Sequence, residues 1–211
     1  MPASASDWDL KHAAASRGEI PPPARIVSEL LPLLPSGPAL DLACGTGRHT
    51  LLLASRQQPV TAVDWSQTAL EILSQRARSL DLTVHPGMPS EIHPHGLSRG
   101  ICLVNADLDN VALAAKAFSL ILCVQFLQRR LFQMIERALR PGGVLLFETF
   151  TRAQLEFSGG PRNPAYLLDP GELRRAFPGL EILFYRELRA GQGIASLVAR
   201  KPDEARRAKR Q

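Results

Sequence analysis

A glycine-rich turn with acidic residues before and after it is the part of this sequence best suited to binding a ligand. Asp41 precedes Gly45 and Gly47 in the run Asp41-Leu42-Ala43-Cys44-Gly45-Thr46-Gly47-Arg48, and Asp64 follows Gly45 by 19 residues. Glycines let the backbone turn tightly and approach a ligand, and the start of the next helix offers free N–H groups. A carboxylate at this distance suits the two hydroxyls of a ribose. The pattern therefore predicts a site for a nucleoside-containing ligand.

The same spacing argues against a dinucleotide. Thr50 stands where the third glycine or alanine of a G-x-G-x-x-G pattern would be, and Asp41 lies four residues before the first glycine. A carboxylate repels a pyrophosphate, whereas it attracts a ligand that carries an ammonium and a sulfonium. We therefore favour S-adenosylmethionine over NAD as the cofactor.

Strands and helices that alternate along the chain position these residues. Apolar runs predict strands at 39–42, 60–63, 101–104, 118–124, 144–147, 182–186 and 194–199. Helical periodicity predicts helices at 25–34, 48–56, 67–80, 131–139 and 170–177. This order predicts a three-layer α/β fold of Rossmann-like type with a mostly parallel sheet. Only a loop joins the last two strands, so at least one of them runs antiparallel.

Composition and charge narrow the class of protein. The chain is 45% hydrophobic, which excludes a wholly disordered chain. The cysteines Cys44, Cys102 and Cys123 lie in apolar runs, which favours reduced thiols and a cytoplasmic protein. Residues 118–127 are too short to span a bilayer, and residues 1–11 do not resemble a signal peptide. We expect no membrane partner.

The basic charge is concentrated at one end. Residues 200–211 contain six cations and two acids, a net of +4, which leaves about +1 of the total +5 for all other residues. We expect this tail to be solvated, and a nucleic-acid partner to be unlikely.

Several motifs together resemble the class I S-adenosylmethionine-dependent methyltransferases, over roughly residues 25–200. They come in the family's order, at 40–48, 60–66, 106–108, 118–123 and 139–145. More narrowly, residues 147–151, 160–168 and 170–173 are similar to small bacterial methyltransferases related to the tellurite-resistance type. The resemblance implies a seven-stranded sheet with an antiparallel last strand, in agreement with the pattern of elements.

The resemblance also implies roles for individual residues around the methyl donor. Asp41 faces the methionine ammonium, Asp64 holds the ribose hydroxyls and Asp107 accepts from the adenine amino group, although Asp109 is an alternative to Asp107. Trp65 lies beside the adenine or fills the core. The cofactor-binding candidates are Asp41, Ala43, Gly45, Gly47, Asp64, Trp65, Asp107, Leu108, Cys123 and Val124.

The acceptor side is less defined, and no catalytic residue is assigned. Residues 123–126 lack the proline and carboxylate of an Asn/Asp-Pro-Pro-Tyr-type motif, which disfavours methylation of nucleobase amines. Gln125 either orients a polar substrate or caps the next helix. In the loop 159–166, Arg162, Asn163 and Tyr166 either offer donors to an oxyanionic substrate or form an ordinary surface loop.

Histidines give no support for a metal. His93 and His95 have no cysteine or carboxylate at ligand spacing, and we expect surface histidines within a long loop at 83–100. His49, directly after the glycine turn, favours a packing or capping role over contact with a substrate.

These observations predict an S-adenosylmethionine-dependent methyltransferase for a small molecule, with a thiol or a chalcogen oxyanion preferred as acceptor. The alternatives are an RNA or protein methyltransferase tethered by the tail, and a catalytically idle S-adenosylmethionine-binding regulatory module. We divide the chain into an N-terminal segment at 1–24, a methyltransferase domain at 25–201 and a basic tail at 202–211. The resemblance implies that the N-terminal segment, with Trp8 and Arg17, covers the pocket. The oligomeric state is left open.

Overall fold

The computed structural model describes residues 4–15 and 20–203. Arg17 and the cations Arg206, Arg207, Lys209 and Arg210 of the tail lie outside the described residues. The α-helices are α1 (Ala5–Ala15), α2 (Arg25–Leu30), α3 (Arg48–Ala54), α4 (Gln67–Ser79), α5 (Leu131–Ala138) and α6 (Glu172–Arg175). Short 3-10 helices lie at Leu31–Leu33, Arg152–Glu156 and Pro164–Tyr166. In this part of the chain, no helix is long and apolar enough to cross a membrane.

Eight strands form one sheet between two layers of helices. They are β1 (Ala39–Leu42), β2 (Val60–Asp64), β3 (Val84–Pro86), β4 (Ile101–Asn105), β5 (Phe118–Val124), β6 (Leu139–Phe150), β7 (Glu181–Arg189) and β8 (Gly193–Arg200). Their order is β3-β4-β2-β1-β5-β6-β8-β7. β8 is antiparallel to both of its neighbours, and the other pairings are parallel. The predicted α/β fold with an antiparallel last strand is confirmed.

The central strands are buried on both faces because helices cover both sides of the sheet. Every residue of β1 and β2 is buried. One core cluster contains Phe118, Phe147 and Ile135 of α5, and the other contains Leu53 of α3 and Leu73 of α4. The parallel register brings the carboxyl ends of β1, β2, β4 and β5 to one edge of the sheet, where the candidate site residues follow.

Two segments differ from the sequence-based expectation. The segment 83–100 is not only a surface loop, because it supplies β3 as an eighth, edge strand of the sheet. Ile92 in the same segment is fully buried and forms a parallel bridge with Leu113. The second difference is α1, which lies in a stretch where no helix was expected.

Candidate active site

The glycine turn joins β1 to α3 with a backbone that needs glycine. Gly45 and Gly47 have φ of +54° and +87°, in the left-handed region that other residues rarely adopt. A Cβ on Gly47 would lie 2.1 Å from Leu73 Cδ1 of α4, so the turn packs directly against that helix. Ala43 also has a positive φ, of +54°. The backbone of this turn, residues 43–47, is therefore conformationally restricted, and we call the turn the cradle.

Asp64, the last residue of β2, holds this cradle in place through a hydrogen bond. Its Oδ2 accepts from the Gly45 N–H at 2.7 Å, and its Oδ1 accepts from the Ser66 N–H at 2.9 Å. The side chain is buried, and burial raises the pKa of its carboxyl while the two backbone N–H groups lower it. Each carboxylate oxygen has a second lone pair, so Asp64 retains the capacity to accept from ligand hydroxyls.

Asp41, on β1, is more deeply buried and has a different partner. The hydroxyl of Thr50 on α3 donates to its Oδ2 at 2.6 Å. Burial raises the pKa of Asp41 to about 7, an effect that this hydrogen bond opposes. A buried carboxyl of this kind favours a nearby positive charge. Asp41 and Asp64 therefore place two buried carboxyl groups at the cradle.

The residues after β2 and β4 form one further wall. Trp65 is 39% exposed, so its ring is open to a ligand and is not core filler. Asn105 fixes this part of the backbone by donating to the carbonyls of Asp64 and Trp65, at 3.2 and 2.9 Å. Asp107 is half-buried and accepts from the Asp109 N–H and the Asn110 side chain, while Leu108 is buried. Asp109 is exposed and accepts from Gln128.

Helix α1 lies against the cradle from outside the sheet. Asp9 Oδ1 accepts from the Ser66 hydroxyl at 2.5 Å and from the Thr68 N–H at 3.1 Å, at the start of α4. His12 Cε1 lies 3.5 Å from the position of a Cβ on Gly45, and burial lowers the pKa of His12. The ring of Trp8 stacks on His12, with a centroid distance of 5.9 Å.

On the other side of the turn, Arg48 and Gln125 meet across the carboxyl ends of β1 and β5. Arg48 Nη2 donates to Gln125 Oε1 at 2.9 Å, and Nη1 donates to the Pro22 carbonyl at 3.4 Å. Gln125 has φ of +59° and donates its N–H to the Glu148 carbonyl at 2.7 Å. Gln125 does not cap the next helix, because the start of α5 has no side-chain cap.

Cys123 and Val124 end β5 beside this pair, and both are buried. Burial raises the pKa of the Cys123 thiol well above its usual range, so the thiol stays protonated. These two residues provide apolar surface and no nucleophile.

A buried polar cluster on β6, β7 and β8 lies next to Gln125 and was not expected from the sequence. Glu148 Oε2 accepts from the Ser196 hydroxyl at 2.5 Å, and Arg186 Nη2 lies 3.9 Å from the same oxygen. In the sequence, the feature that could have predicted this cluster is Glu148, a single carboxylate within the otherwise apolar run of β6.

Two of the other substrate-side candidates form hydrogen bonds with nearby backbone groups. Arg162 donates to the carbonyls of Leu155 and Phe157, and Asn163 accepts from the Ala165 N–H. Tyr166 is half-buried. None of the described hydrogen bonds joins these three residues to Gln125.

The histidines have structural partners. His49 Nε2 accepts from the Ala24 N–H at 3.0 Å, and burial lowers the pKa of His49 to about 3. The rings of His93 and His95 contact each other at a tilt of 35°, with centroids 3.8 Å apart, and the His95 N–H donates to His93 Nδ1. Among the described residues there is no group of three or more His, Cys, Asp or Glu side chains that could hold a metal ion.

Comparison with known proteins agrees with this geometry. Residues 40–147, just over half of the chain, match the family model described as a methyltransferase domain. The chain belongs to the methyltransferase domain family. The matched residues include the glycine turn, Asp64 and the end of β5. The domain is a class I S-adenosylmethionine-dependent methyltransferase domain, and S-adenosylmethionine is its methyl donor.

One curated relative shares part of the sequence. Trans-aconitate 2-methyltransferase from Sinorhizobium fredii is 33% identical over 75 residues, which are 35% of this chain and 29% of the relative. The match therefore spans less than a third of that protein.

Solved structures share the fold at low sequence identity. TehB from Haemophilus influenzae has a TM-score of 0.64 and 18% identity, covering 85% of this chain and 62% of that chain. Geranyl diphosphate C-methyltransferase from Streptomyces coelicolor, solved with S-adenosyl-L-homocysteine, has a TM-score of 0.61 and 13% identity, covering 83% and 75%.

Proposed function

We propose that this protein transfers a methyl group from S-adenosylmethionine to a small-molecule acceptor, with a thiol or a chalcogen oxyanion preferred. The observation that carries the proposal is the cradle of Gly45 and Gly47 between the buried carboxylates of Asp41 and Asp64. Asp41 would take the donor's ammonium and Asp64 its ribose hydroxyls. The other proposed donor contacts are Ala43, Gly45, Gly47, Trp65, Asp107, Leu108, Cys123 and Val124.

The donor supplies a methyl group on a sulfonium, and this carbon is already activated for attack. The chain's own task is to hold donor and acceptor in line and to keep water out. His49 does not serve as a base in this proposal, because its Nε2 accepts from Ala24 N–H. Gln125, Arg162, Asn163 and Tyr166 remain the substrate-side candidates. Acceptors that arrive as anions or as soft nucleophiles need least help from a base.

The N-terminal segment 1–24 is proposed to cover the donor. The contacts of Asp9 with Ser66 and Thr68, and of His12 with Gly45, support this role. The buried, unpaired state of Cys44, Cys102 and Cys123 supports a reducing, cytoplasmic environment, as expected for a small bacterial enzyme.

Calorimetric titration with S-adenosylmethionine, S-adenosylhomocysteine and NADH in parallel tests the donor. We expect micromolar binding of both adenosyl compounds and none of NADH. Turnover is then measured with thiols, selenite and tellurite as acceptors. If neither adenosyl compound binds, the proposal is contradicted. If the donor binds but no nucleophile is methylated, a regulatory module is favoured.

A further inference from the structure

The half-buried side chain of Arg48 has only neutral partners. Its guanidinium donates to the side-chain oxygen of Gln125 and to the carbonyl of Pro22. Within residues 4–15 and 20–203, Arg48 forms no ion pair with a carboxylate. An arginine that loses water without gaining an anion is unusual, because buried charges are normally paired.

Two carboxylates lie near Arg48 but are engaged elsewhere. Asp41 and Glu148 each act on the guanidinium through space. Asp41 accepts from Thr50 and Glu148 accepts from Ser196. Burial lowers the pKa of Arg48 from its ordinary value, and these two acids only oppose that shift. The positive charge of Arg48 is therefore available to a ligand.

Gln125 fixes the direction of this guanidinium. Its φ of +59° is costly for a residue with a side chain, by about 1 kcal/mol. The hydrogen bond from its N–H to the Glu148 carbonyl holds the backbone in that conformation. Strain of this kind persists where the surrounding structure enforces it, and it is frequent at binding sites. Gln125 directly follows β5, on the side of the turn away from Asp64 and α1.

We infer that Arg48, oriented by Gln125, binds an oxyanion of the methyl acceptor. This inference rests on the proposed function, and it commits the acceptor to a molecule with a carboxylate or a chalcogen oxyanion rather than to a neutral thiol. The planar guanidinium presents parallel N–H groups that match two oxygens of such an anion. Its place between the glycine turn and the end of β5 puts the anion beside the proposed donor site.

Calorimetry on the protein saturated with S-adenosylhomocysteine tests this inference, with selenite and trans-aconitate as probes. We expect at least one anion to bind the wild type, and Arg48→Gln to weaken that binding about 10-fold or more, the loss expected for a charge-assisted hydrogen bond. Arg56→Gln is the matched control, because Arg56 is an exposed arginine just beyond the other end of α3. We expect it to bind the anion as the wild type does.

A second variant tests the inference independently, in case Arg48→Gln does not fold. Gln125→Gly suits the positive φ and removes only the side chain, so we expect an unchanged or higher melting temperature together with weaker anion binding. Wild-type anion binding in both variants overturns the inference.

Three further outcomes separate this inference from the proposed function. If Arg48→Gln weakens S-adenosylhomocysteine but not methylthioadenosine, which lacks the carboxylate, Arg48 serves the donor and the inference is overturned. If the wild type binds S-adenosylhomocysteine but neither anion, the inference fails and the proposed function stands. If the wild type does not bind S-adenosylhomocysteine, both the inference and the proposed function are overturned.

Discussion

At the scale of single residues, the two acids of the cradle differ in their hydrogen-bond partners and in their burial. Burial raises the pKa of Asp64, and two backbone N–H groups hold its carboxylate in place and partly offset that rise. Asp41 receives one hydroxyl in a fully buried position, and burial raises its pKa to about 7. Asp64 is thus a stable acceptor, whereas the charge of Asp41 responds to what binds nearby.

Replacing Asp64 with alanine should weaken donor binding by about 1.5–3 kcal/mol, or about 10-fold to 100-fold, because a charged acceptor of hydrogen bonds is lost. Titration with S-adenosylhomocysteine measures the change. The melting temperature of Asp64→Ala checks that the loss does not come from an unfolded turn. Glu71→Ala, an exposed acid on α4, is the control, and equal affinity in Asp64→Ala and Glu71→Ala would remove the ribose assignment.

Donor affinity should depend on pH through Asp41. Below about pH 7 a growing fraction of Asp41 is protonated in the free protein, while the cationic donor favours the ionised form. Affinity for S-adenosylmethionine should therefore rise from about pH 5 to about pH 7, by up to about 10-fold per unit, and then level off. Binding below neutrality should release a proton, which calorimetry in two buffers measures. Asp41→Asn should flatten the profile, and an unchanged slope in that variant contradicts this account.

At the scale of elements, α1 is held in place by hydrogen bonds in its N-terminal half. Ser4 and Asp7 form a capping box, in which the Ser4 hydroxyl accepts from the Asp7 N–H and Asp7 accepts from the Ser4 N–H. Asp9 then joins the helix to α4. The helix is short and mostly exposed, so these contacts rather than a large apolar face determine whether it stays in place.

Asp9→Asn should loosen α1 and speed donor release several-fold, because the carboxylate that accepts from Ser66 and Thr68 loses its charge. Hydrogen–deuterium exchange should rise in residues 4–15, and stopped-flow displacement should show a faster off-rate. Asp81→Asn, in the exposed turn after α4, should change neither. Identical exchange in the wild type and in Asp9→Asn would exclude Asp9 as the anchor.

The elements show which features the sequence could predict. β1 and β5 match the predicted bounds, because strands buried on both faces leave continuous apolar runs, and Ser66 caps α4 as its residue type indicates. α1 lacks an apolar periodicity, and its signal was the Ser4–Asp7 capping box. The contact of Arg48 with Gln125 joins residues 77 apart in the chain, so only the folded sheet brings them together.

At the scale of the whole molecule, the net charge of +5 is unevenly distributed. Lys201 is tied to the body of the protein, since its Nζ donates to the Glu136 carbonyl at 2.6 Å. Arg200 is paired with Glu181 at 2.7 Å, and the other four cations of the C-terminal segment follow at 206–210. A tethered RNA or protein methyltransferase would depend on them, because contacts with phosphates supply affinity that falls with salt.

Removal of residues 204–211 should leave donor affinity and small-molecule turnover within about two-fold of the wild type, since the proposed site lies within residues 4–200. Both are measured at low and high salt. Lost activity in the shortened chain, or a steep fall with salt in the full chain, favours the tethered RNA or protein methyltransferase instead.

The chain contains two tryptophans, and their places give the protein a built-in optical reporter. Trp8 lies on α1, and His12 of the same helix lies close to Gly45 in the glycine turn. Trp65 directly follows Asp64, which accepts a hydrogen bond from that turn. Intrinsic fluorescence therefore responds to events at this one location, without background from tryptophans elsewhere. Trp8→Phe leaves Trp65 to record changes next to Asp64, and Trp65→Phe leaves Trp8 to record changes in α1. The effect of an added ligand on these two places can thus be followed separately in unlabelled protein.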